Sequence, residues 1–295
     1  MTFVDTGAPG AEKRTEGFVW SHFTLFALMH LSVLAAVFTE VTRQAWVCCF
    51  VLYGVRMFGV TGGYHRYFSH RTFKTSRMGQ FVLAFLAQTS SQRGVLWWAA
   101  HHRNHHKYSD KPGDSHSPRL YGFWYSHLWW IYYHISDSEY NRVQDLAKFP
   151  ELRFLNQYWL LPPIVLGTAV FQLLGWSGFL IGFALSTVLL WHGTFCINSL
   201  AHVIGTRRYN TDDDSKNSLI LALITLGEGW HNNHHHNMHS TRQGFMWWEI
   251  DVTYYTLKML EAIGLVWDIR EPKEEIVFSY KSESKAEAVA AYKTS

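Results

Sequence analysis

The sequence predicts an all-α integral membrane protein: four transmembrane helices in two hairpins, with a cytoplasmic helical cap carrying a histidine-ligated dimetal site. Three observations predict it. Hydrophobic residues make up 48% of the 295 residues and charged residues only 17%, against roughly 25% charged in an average soluble chain. Four apolar runs approach the ~20 residues that cross a bilayer. Eighteen histidines concentrate in three short clusters outside those runs. The same composition excludes other classes. Trp 14, Tyr 15 and Phe 20 are too many for a disordered chain. A net charge of +3 is too small for a nucleic-acid partner. Three cysteines exclude a disulfide framework and a cysteine-based zinc site. Cys48, Cys49 and Cys196 all lie in apolar runs, as core filler does.

Residues 1–20 form a polar N-terminal segment. No apolar stretch follows a short basic start, so no cleavable signal is expected. The first span covers about 21–39 and the second 44–63, with only TEVTR between them. The third covers 156–174 and the fourth 179–200, joined by GWSG. These two connectors carry one basic residue, Arg43. The stretch from Tyr64 to Leu155 carries twelve Lys or Arg, and ten more follow Leu200. Basic residues stay cytoplasmic, which places both termini and the long middle segment there. Arg56, inside the second span, reads first as a snorkelling side chain and second as a buried partner near the active site. The apolar stretch 79–100 is split by QTSSQR into pieces too short to span. It is expected to be interfacial or re-entrant, with Trp97 and Trp98 at headgroup depth. The membrane domain thus runs over 21–270, and 271–295 is a charged, solvated tail. Internal repeats are absent.

The histidine clusters are His65-Arg-Tyr-Phe-Ser-His70, His102-Arg-Asn-His105-His106 and His231-Asn-Asn-His234-His235. Positions i, i+3 and i+4 share one face of a helix, and the second and third clusters fit that pattern. His65 and His70 are five apart, about 140° around an α-helix. The helix must end or kink between them, or the metal must sit off its end. With spans paired as hairpins, all three clusters face one compartment. At the end of the fourth span, Asn198 and His202 are four apart. His202 would be a ninth ligand, and Asn198 would hold a metal-bound water. Nine ligands exceed what one ion takes, so two ions are implied. Imidazole suits Zn, Cu, Fe and Ni. All-nitrogen ligation beside a membrane suits iron with positions open for O2, and zinc stays open on these residues alone.

The segments GGYHRYFSHRTFK, WWAAHHRNHHKYSD, DSHSP, NSLAH, GEGWHNNHHH and WWEIDVTYY resemble the membrane-bound fatty acid desaturases. The match is to the acyl-CoA delta-9 (stearoyl-CoA) type in its bacterial form, over about Phe18 to Arg270. The three histidine boxes alone mark a broad superfamily that includes hydroxylases; NSLAH, GEGWHNNHH and WWEID narrow it. A departure is His236-Asn-Met-His239, where similar bacterial proteins tend to have an aromatic and a proline. The resemblance implies two irons held by His65, His70, His102, His105, His106, His202, His231, His234 and His235, with Asn198 acting through water. It implies reduction by two electrons, O2 as co-substrate, and removal of two hydrogens from neighbouring methylenes to leave a cis double bond and water. Metal and O2 carry the chemistry and the protein supplies placement. No cytochrome b5 segment with its HPGG motif is present, so a separate donor is expected, such as ferredoxin or cytochrome b5 with its reductase. The location expected is a bacterial inner membrane, with the active site cytoplasmic.

A mid-chain methylene has no directing group, so a bent apolar tunnel must measure distance from the headgroup. Trp97 and Trp98 are candidates for its wall. Cys49 and Tyr53 are candidates for its closed end, ~24 and ~18 Å along a helix from His65. Arg71, Lys74, Arg103 and Lys107 would suit the phosphates of a fatty acyl-CoA, and equally anionic lipid headgroups. His101, His236 and His239 miss the ligating face, His116 and His127 lack ligand spacing, and His192 and His30 lie too deep in the fourth and first spans, His192 ~15 Å from His202. Three rivals remain: an acyl-lipid desaturase, a hydroxylase of the same superfamily, and a histidine-rich metal transporter. A transporter would carry its ligands at the bilayer midplane, whereas these lie outside the spans.

Overall fold

The computed structural model describes residues 16–134 and 141–280. Most of the expected polar N-terminal segment and of the charged tail lies outside the described residues, as does part of the middle segment.

Three helical stretches are long and apolar enough to cross a membrane: Trp20–Phe38, Arg43–Ser69 and Leu161–Val203. The third has 43 residues, ~65 Å if it were straight and about twice a ~30 Å hydrocarbon core. It is not straight. Gly175 adopts φ 60° and ψ −155°, a conformation open to glycine, and the chain reverses there. The two arms pack on each other: a Cβ built on Gly167 would lie 3.2 Å from the Phe183 ring. The first arm begins at Leu161 rather than at 156 because Pro162 and Pro163 occupy its first turn, where a missing N–H costs nothing. Residues Pro150–Gln157 form a separate helix. At the far end, Thr42 accepts from Ala45 N and caps the second helix. The Thr42 backbone N–H donates to Ser177 Oγ at 2.9 Å, which ties the two chain reversals together.

The second helix is longer than the expected 44–63. Arg43–Phe58 is α-helical, and Gly59–Ser69 continues as a π-helix. Its i→i+5 bonds include His70 N to His65 O, 3.2 Å. The winding solves the five-residue spacing. The helix neither stops nor kinks between the two histidines; it widens, and both rings reach one side.

Arg56 does not snorkel. It is 0% exposed, and its guanidinium donates to Leu52 O, Thr89 O, Thr187 Oγ1, Phe183 O and Ser186 Oγ. It joins the second helix, the polar loop after Gln88 and the last apolar arm. No carboxylate takes part among the described residues.

Residues 79–100 divide at the polar insert, as expected, into helices Arg77–Gln88 and Val95–Tyr108. Ser76 accepts from Gly79 N and starts the first of them. Gly59 lets it come close: a Cβ there would stand 3.1 Å from the Ala87 backbone. Trp97 and Trp98 turn inward rather than outward. Trp98 stacks between Tyr64 and His102, with centroids at 5.2 and 5.0 Å.

Two short antiparallel strand pairs depart from the all-α expectation. Glu16–Phe18 pairs with Tyr133–His134, and Lys74–Thr75 with Val266–Trp267. The expected solvated tail is also corrected at its start. Residues 274–277 are helical, Tyr209 Oη donates to Val277 O at 2.7 Å, and Val277 packs with Tyr209, Phe245 and Met246.

Candidate metal centre

Nine histidines meet in two adjoining groups. His65, His70, His102, His106 and His234 form the first; His105, His202, His231 and His235 form the second. Within each group the ligand-capable atoms lie within 4.8 Å of one another. Each helical box feeds both groups. His102 and His106 point to the first and His105 to the second. His234 points to the first, while His231 and His235 point to the second. The two helices therefore pass between the groups.

The ring nitrogens are spaced as ligands. Nε2 of His234 is 3.0 Å from that of His65 and 2.9 Å from that of His106. Nε2 of His102 is 2.8 Å from that of His70 and 3.0 Å from that of His106. In the second group, His202 Nε2 is 3.1 Å from His231 Nε2. Metal–imidazole bonds of ~2.1 Å place the nitrogens of one ion ~3.0–3.4 Å apart, and these close approaches suit nitrogens that converge on a shared ion. Nε2 of His235 is buried and has no hydrogen-bond partner, which is the condition of a nitrogen meant for a metal. The residues present fit two ions.

Carboxylates set the tautomers. His65 Nδ1 pairs with Glu228 at 2.6 Å, His105 Nδ1 with Asp114 at 3.1 Å, His202 Nδ1 with Asp110 at 2.9 Å and His235 Nδ1 with Asp213 at 2.6 Å. A proton held on Nδ1 leaves the Nε2 lone pair for the metal. The groups differ: the five-histidine group has one such carboxylate and the four-histidine group has three. Burial pushes Asp110, Asp114 and Asp213 up, but the facing imidazoles outweigh it and hold each well below the usual carboxylate range. Burial, reinforced by neighbouring imidazoles, lowers His70, His102, His106, His231 and His234 well below the ordinary histidine range. They stay neutral and ready to ligate. At His105 burial also lowers, but Asp114 wins and the net shift is upward.

The backs of the boxes are zipped to the scaffold. Asn232 Oδ1 accepts from the N–H of Arg208 and of Tyr209, both at 2.8 Å. Asn233 Nδ2 donates to Gln243 O and Glu249 Oε2, both at 2.9 Å. Arg66 donates to Glu228, to Asp251 and to Thr241 O. The acids of WWEID are therefore buried ties: Glu249 also pairs with Arg208 at 2.6 Å, and Asp251 caps the helix Val252–Ala262. The sequence reading missed Asp110, Asp114, Asp213 and Glu228. Their signal was present in YSD, DSHSP, the DDD run and GEGW.

A cavity runs past the first group. Its lining includes His102, Asn198, Trp97, Trp98, Phe195 and Trp191. Gln92 Nε2 donates to Thr194 Oγ1 at 3.0 Å on its wall. Asn198 ends one helix, and Ser199 breaks the α-helix before His202, so the expected shared face is not a continuous one. Cys49 and Tyr53 are absent from this lining. Cys49 packs against Ala36, Ala45, Leu180 and Ile181, and Tyr53 Oη donates to Ile224 O.

The remaining histidines stand outside both groups. His101 stacks on Trp97 at 3.9 Å, and burial lowers it to about 3. His236 lies flat on Tyr209 at 3.9 Å, and His239 is exposed. His116 sits beside His105 and Asp114, closer to the centre than its sequence position indicated. His30, His192 and His127 form a hydrogen-bonded row at 3.2 and 3.1 Å that ends on Ser199. The basic residues named for a phosphate headgroup are partly committed. Arg103 grips Asp145 and three backbone carbonyls, and Lys74 pairs with Asp268.

Apolar spanning helices around a histidine-lined metal centre define a membrane metalloenzyme. The fatty acid desaturase family profile matches residues 43–262, and the chain belongs to that family: it is an oxidoreductase. It is 38% identical over 259 residues to the acyl-CoA C20 Delta5-desaturase of Anemone leveillei, covering 86% of this chain and 82% of the relative. It is 36% identical to Delta-9 acyl-lipid desaturase 2 of Arabidopsis thaliana, over 89% of this chain and 86% of the relative. It is 34% identical to the sn-1 stearoyl-lipid 9-desaturase of Anabaena variabilis, over 85% and 93%.

Proposed function

We propose that the protein is an O2-dependent di-iron fatty acyl desaturase that places a cis double bond at delta-9 of a saturated acyl-CoA. The observation that carries the reading is the meeting of nine imidazoles in groups of five and four beside an apolar cavity. The nine histidines are assigned as ligands of two irons, with Asn198 acting through water. Bound irons, reduced by a separate donor, supply O2 activation for removing two hydrogens from adjacent methylenes, with water as co-product. The chain's own residues do the placing. Trp97 and Trp98 wall the cavity at His102 and hold an acyl chain against the first group. Glu228, Asp110, Asp114 and Asp213 keep a proton on Nδ1 of their partners.

The apolar stretches are assigned as four crossings in two hairpins, the third stretch supplying two of them by its reversal at Gly175. The termini, the metal cap and the domain over 21–270 follow the orientation set by the basic residues, with the cap cytoplasmic in a bacterial inner membrane. An acyl-lipid substrate is the second reading. It is favoured by the commitment of Arg103 and Lys74 to acidic partners and by the substrates named for the Arabidopsis and Anabaena relatives. Purified protein from iron-supplemented cells should contain close to two irons per chain, and defined acyl-CoA and acyl-lipid substrates should separate the two carriers. Active protein with one iron or fewer would refute the assignment.

A further inference from the structure

The segment from Asn217 to Trp230, NSLILALITLGEGW, has a single ionisable residue, Glu228, and that residue is turned inward onto His65 and Arg66. Its helix Leu219–Ile224 buries Leu221 and Ala222 and exposes the rest: Ile220 is 71% exposed, and Leu219, Leu223 and Ile224 are exposed beside it. In water this would be a contiguous apolar patch without a purpose. Its depth argues against water. Tyr53 Oη donates to Ile224 O at 2.7 Å. A Cβ on Gly193 would sit 3.1 Å from Tyr53 Oη and 3.5 Å from an Ile224 methyl. Tyr53 and Gly193 both belong to apolar spans. Gly193 lies sixteen residues from Ser177 at the outer chain reversal, at most ~24 Å along the helix, because Gly178–Leu185 is the more tightly rising π form. A ~30 Å hydrocarbon core measured from that reversal leaves Ile224 at least ~6 Å inside its metal-side edge.

We propose that residues 218–229 are a re-entrant apolar loop that enters the metal-side leaflet, with Trp247 and Trp248 at the headgroup level beside it. The proposal rests on the membrane-spanning reading of the helices. Non-helical backbone at such depth is tolerated only where protein groups satisfy it, and here they do. The N–H groups of Thr225, Gly227 and Trp230 donate to Leu221 O, Ala222 O and Gly227 O, and Leu226 O accepts from Thr253 N. The end of the helix has its Ile224 carbonyl covered by the Tyr53 phenol, which gives Tyr53 a role other than closing a tunnel. Trp247 is 83% and Trp248 53% exposed, yet their loop is rigidly held. Met246 N donates to Glu249 Oε2, and Trp230 Nε1 donates to Ile250 O at 2.8 Å, which joins the loop to the re-entrant segment. Two indoles fixed outward beside an apolar helix match an interfacial belt. His231 follows Trp230 directly, so the leaflet would set the height of the third histidine box.

The test uses the native chain in phosphatidylcholine vesicles containing a phosphatidylcholine with a diazirine in its acyl chain. After illumination, mass spectrometry should find adducts on peptides holding 219–224 and on Trp247 or Trp248, as well as on the spans. Adducts on the spans alone would overturn the proposal, and adducts on no span would instead overturn the membrane reading. A second measurement places a nitroxide on Ile220→Cys in a chain whose three cysteines are replaced. Its relaxation should respond several-fold more to O2 than to a water-soluble nickel chelate, with the opposite order at Asp212→Cys, whose native side chain is 89% exposed. A response at 220 like that at 212 would mean water. Shielding from both reagents would mean cover by protein. Either result sinks the proposal.

Discussion

Asp213→Asn should weaken one metal ion and leave the other alone. In the native chain His235 Nδ1 donates to Asp213 Oδ2 at 2.6 Å, and Asp213 Oδ1 accepts from Ser215 N and Thr211 Oγ1, both at 3.0 Å. An asparagine has one acceptor and one donor end. With its oxygen kept by Ser215 and Thr211, its NH2 faces His235 Nδ1. That forces the ring proton onto Nε2, the atom aimed at the metal. Loss of such a partner typically costs 10–100-fold in metal affinity, about 1.4–2.7 kcal/mol. The wrong tautomer argues for the upper end. Because Asp213 serves the four-histidine group and Glu228 the five-histidine group, Glu228→Gln should weaken the other ion. Metal content after graded chelator challenge, in parallel for wild type and both variants, reads this out. Each variant should keep one ion at wild-type resistance and lose the second 10–100-fold more readily. Equal loss of both ions, or of neither, would refute the carboxylate–histidine pairing.

Four further outcomes are expected. His235→Ala should lose nearly all activity and one metal, while His236→Ala, which removes a ring stacked on Tyr209 and hydrogen-bonded to Ser279, should retain both ions by elemental analysis. Arg56→Met should lower stability by about 3 kcal/mol or more by stranding buried carbonyls, read as a fall in thermal midpoint in detergent. Cys49→Trp should destabilise by at least ~1–3 kcal/mol through overpacking and leave the product chain-length profile unchanged. In the metal-free chain, His70, His102, His106, His231 and His234 are lowered by burial, so the unfolded state binds protons first. Stability should therefore be full above the ordinary histidine range near 6.5 and fall as pH drops below it, as denaturant titrations from pH 8 to 5 would show.

Much of this was legible because it is periodic or compositional. The i, i+3, i+4 spacing placed two boxes on helices, and the apolar runs marked the three stretches long and apolar enough to cross a membrane. What stayed hidden depended on contacts distant in sequence. Nothing near Arg56 announces that Thr187 and Ser186, on another helix, will satisfy it. The π-helical winding of Gly59–Ser69 has no signature in the local sequence, so the five-residue spacing reads as a helix that ends or kinks, or as a metal off its end. Asp213 lies 22 residues from His235, and its neighbours Asp212 and Asp214 look identical in sequence. Counting residues along a straight helix gives the depth of Tyr53 but not the direction in which its side chain leaves the helix. Trp97 and Trp98 carry the composition of an interfacial belt, yet the helix they start turns them onto Tyr64, His101 and His102.

The central claim is that the two histidine groups together support desaturation. Its most direct test is product analysis in cells lacking their own unsaturated fatty acid synthesis, fed a saturated acyl chain and supplied with iron. Mass spectrometry with double-bond localisation should find a cis-monounsaturated chain with unsaturation at carbon 9 for the wild type, and only saturated chain for His106→Ala and His202→Ala, one from each group. A hydroxylated product, or undiminished unsaturation in either variant, would contradict the account.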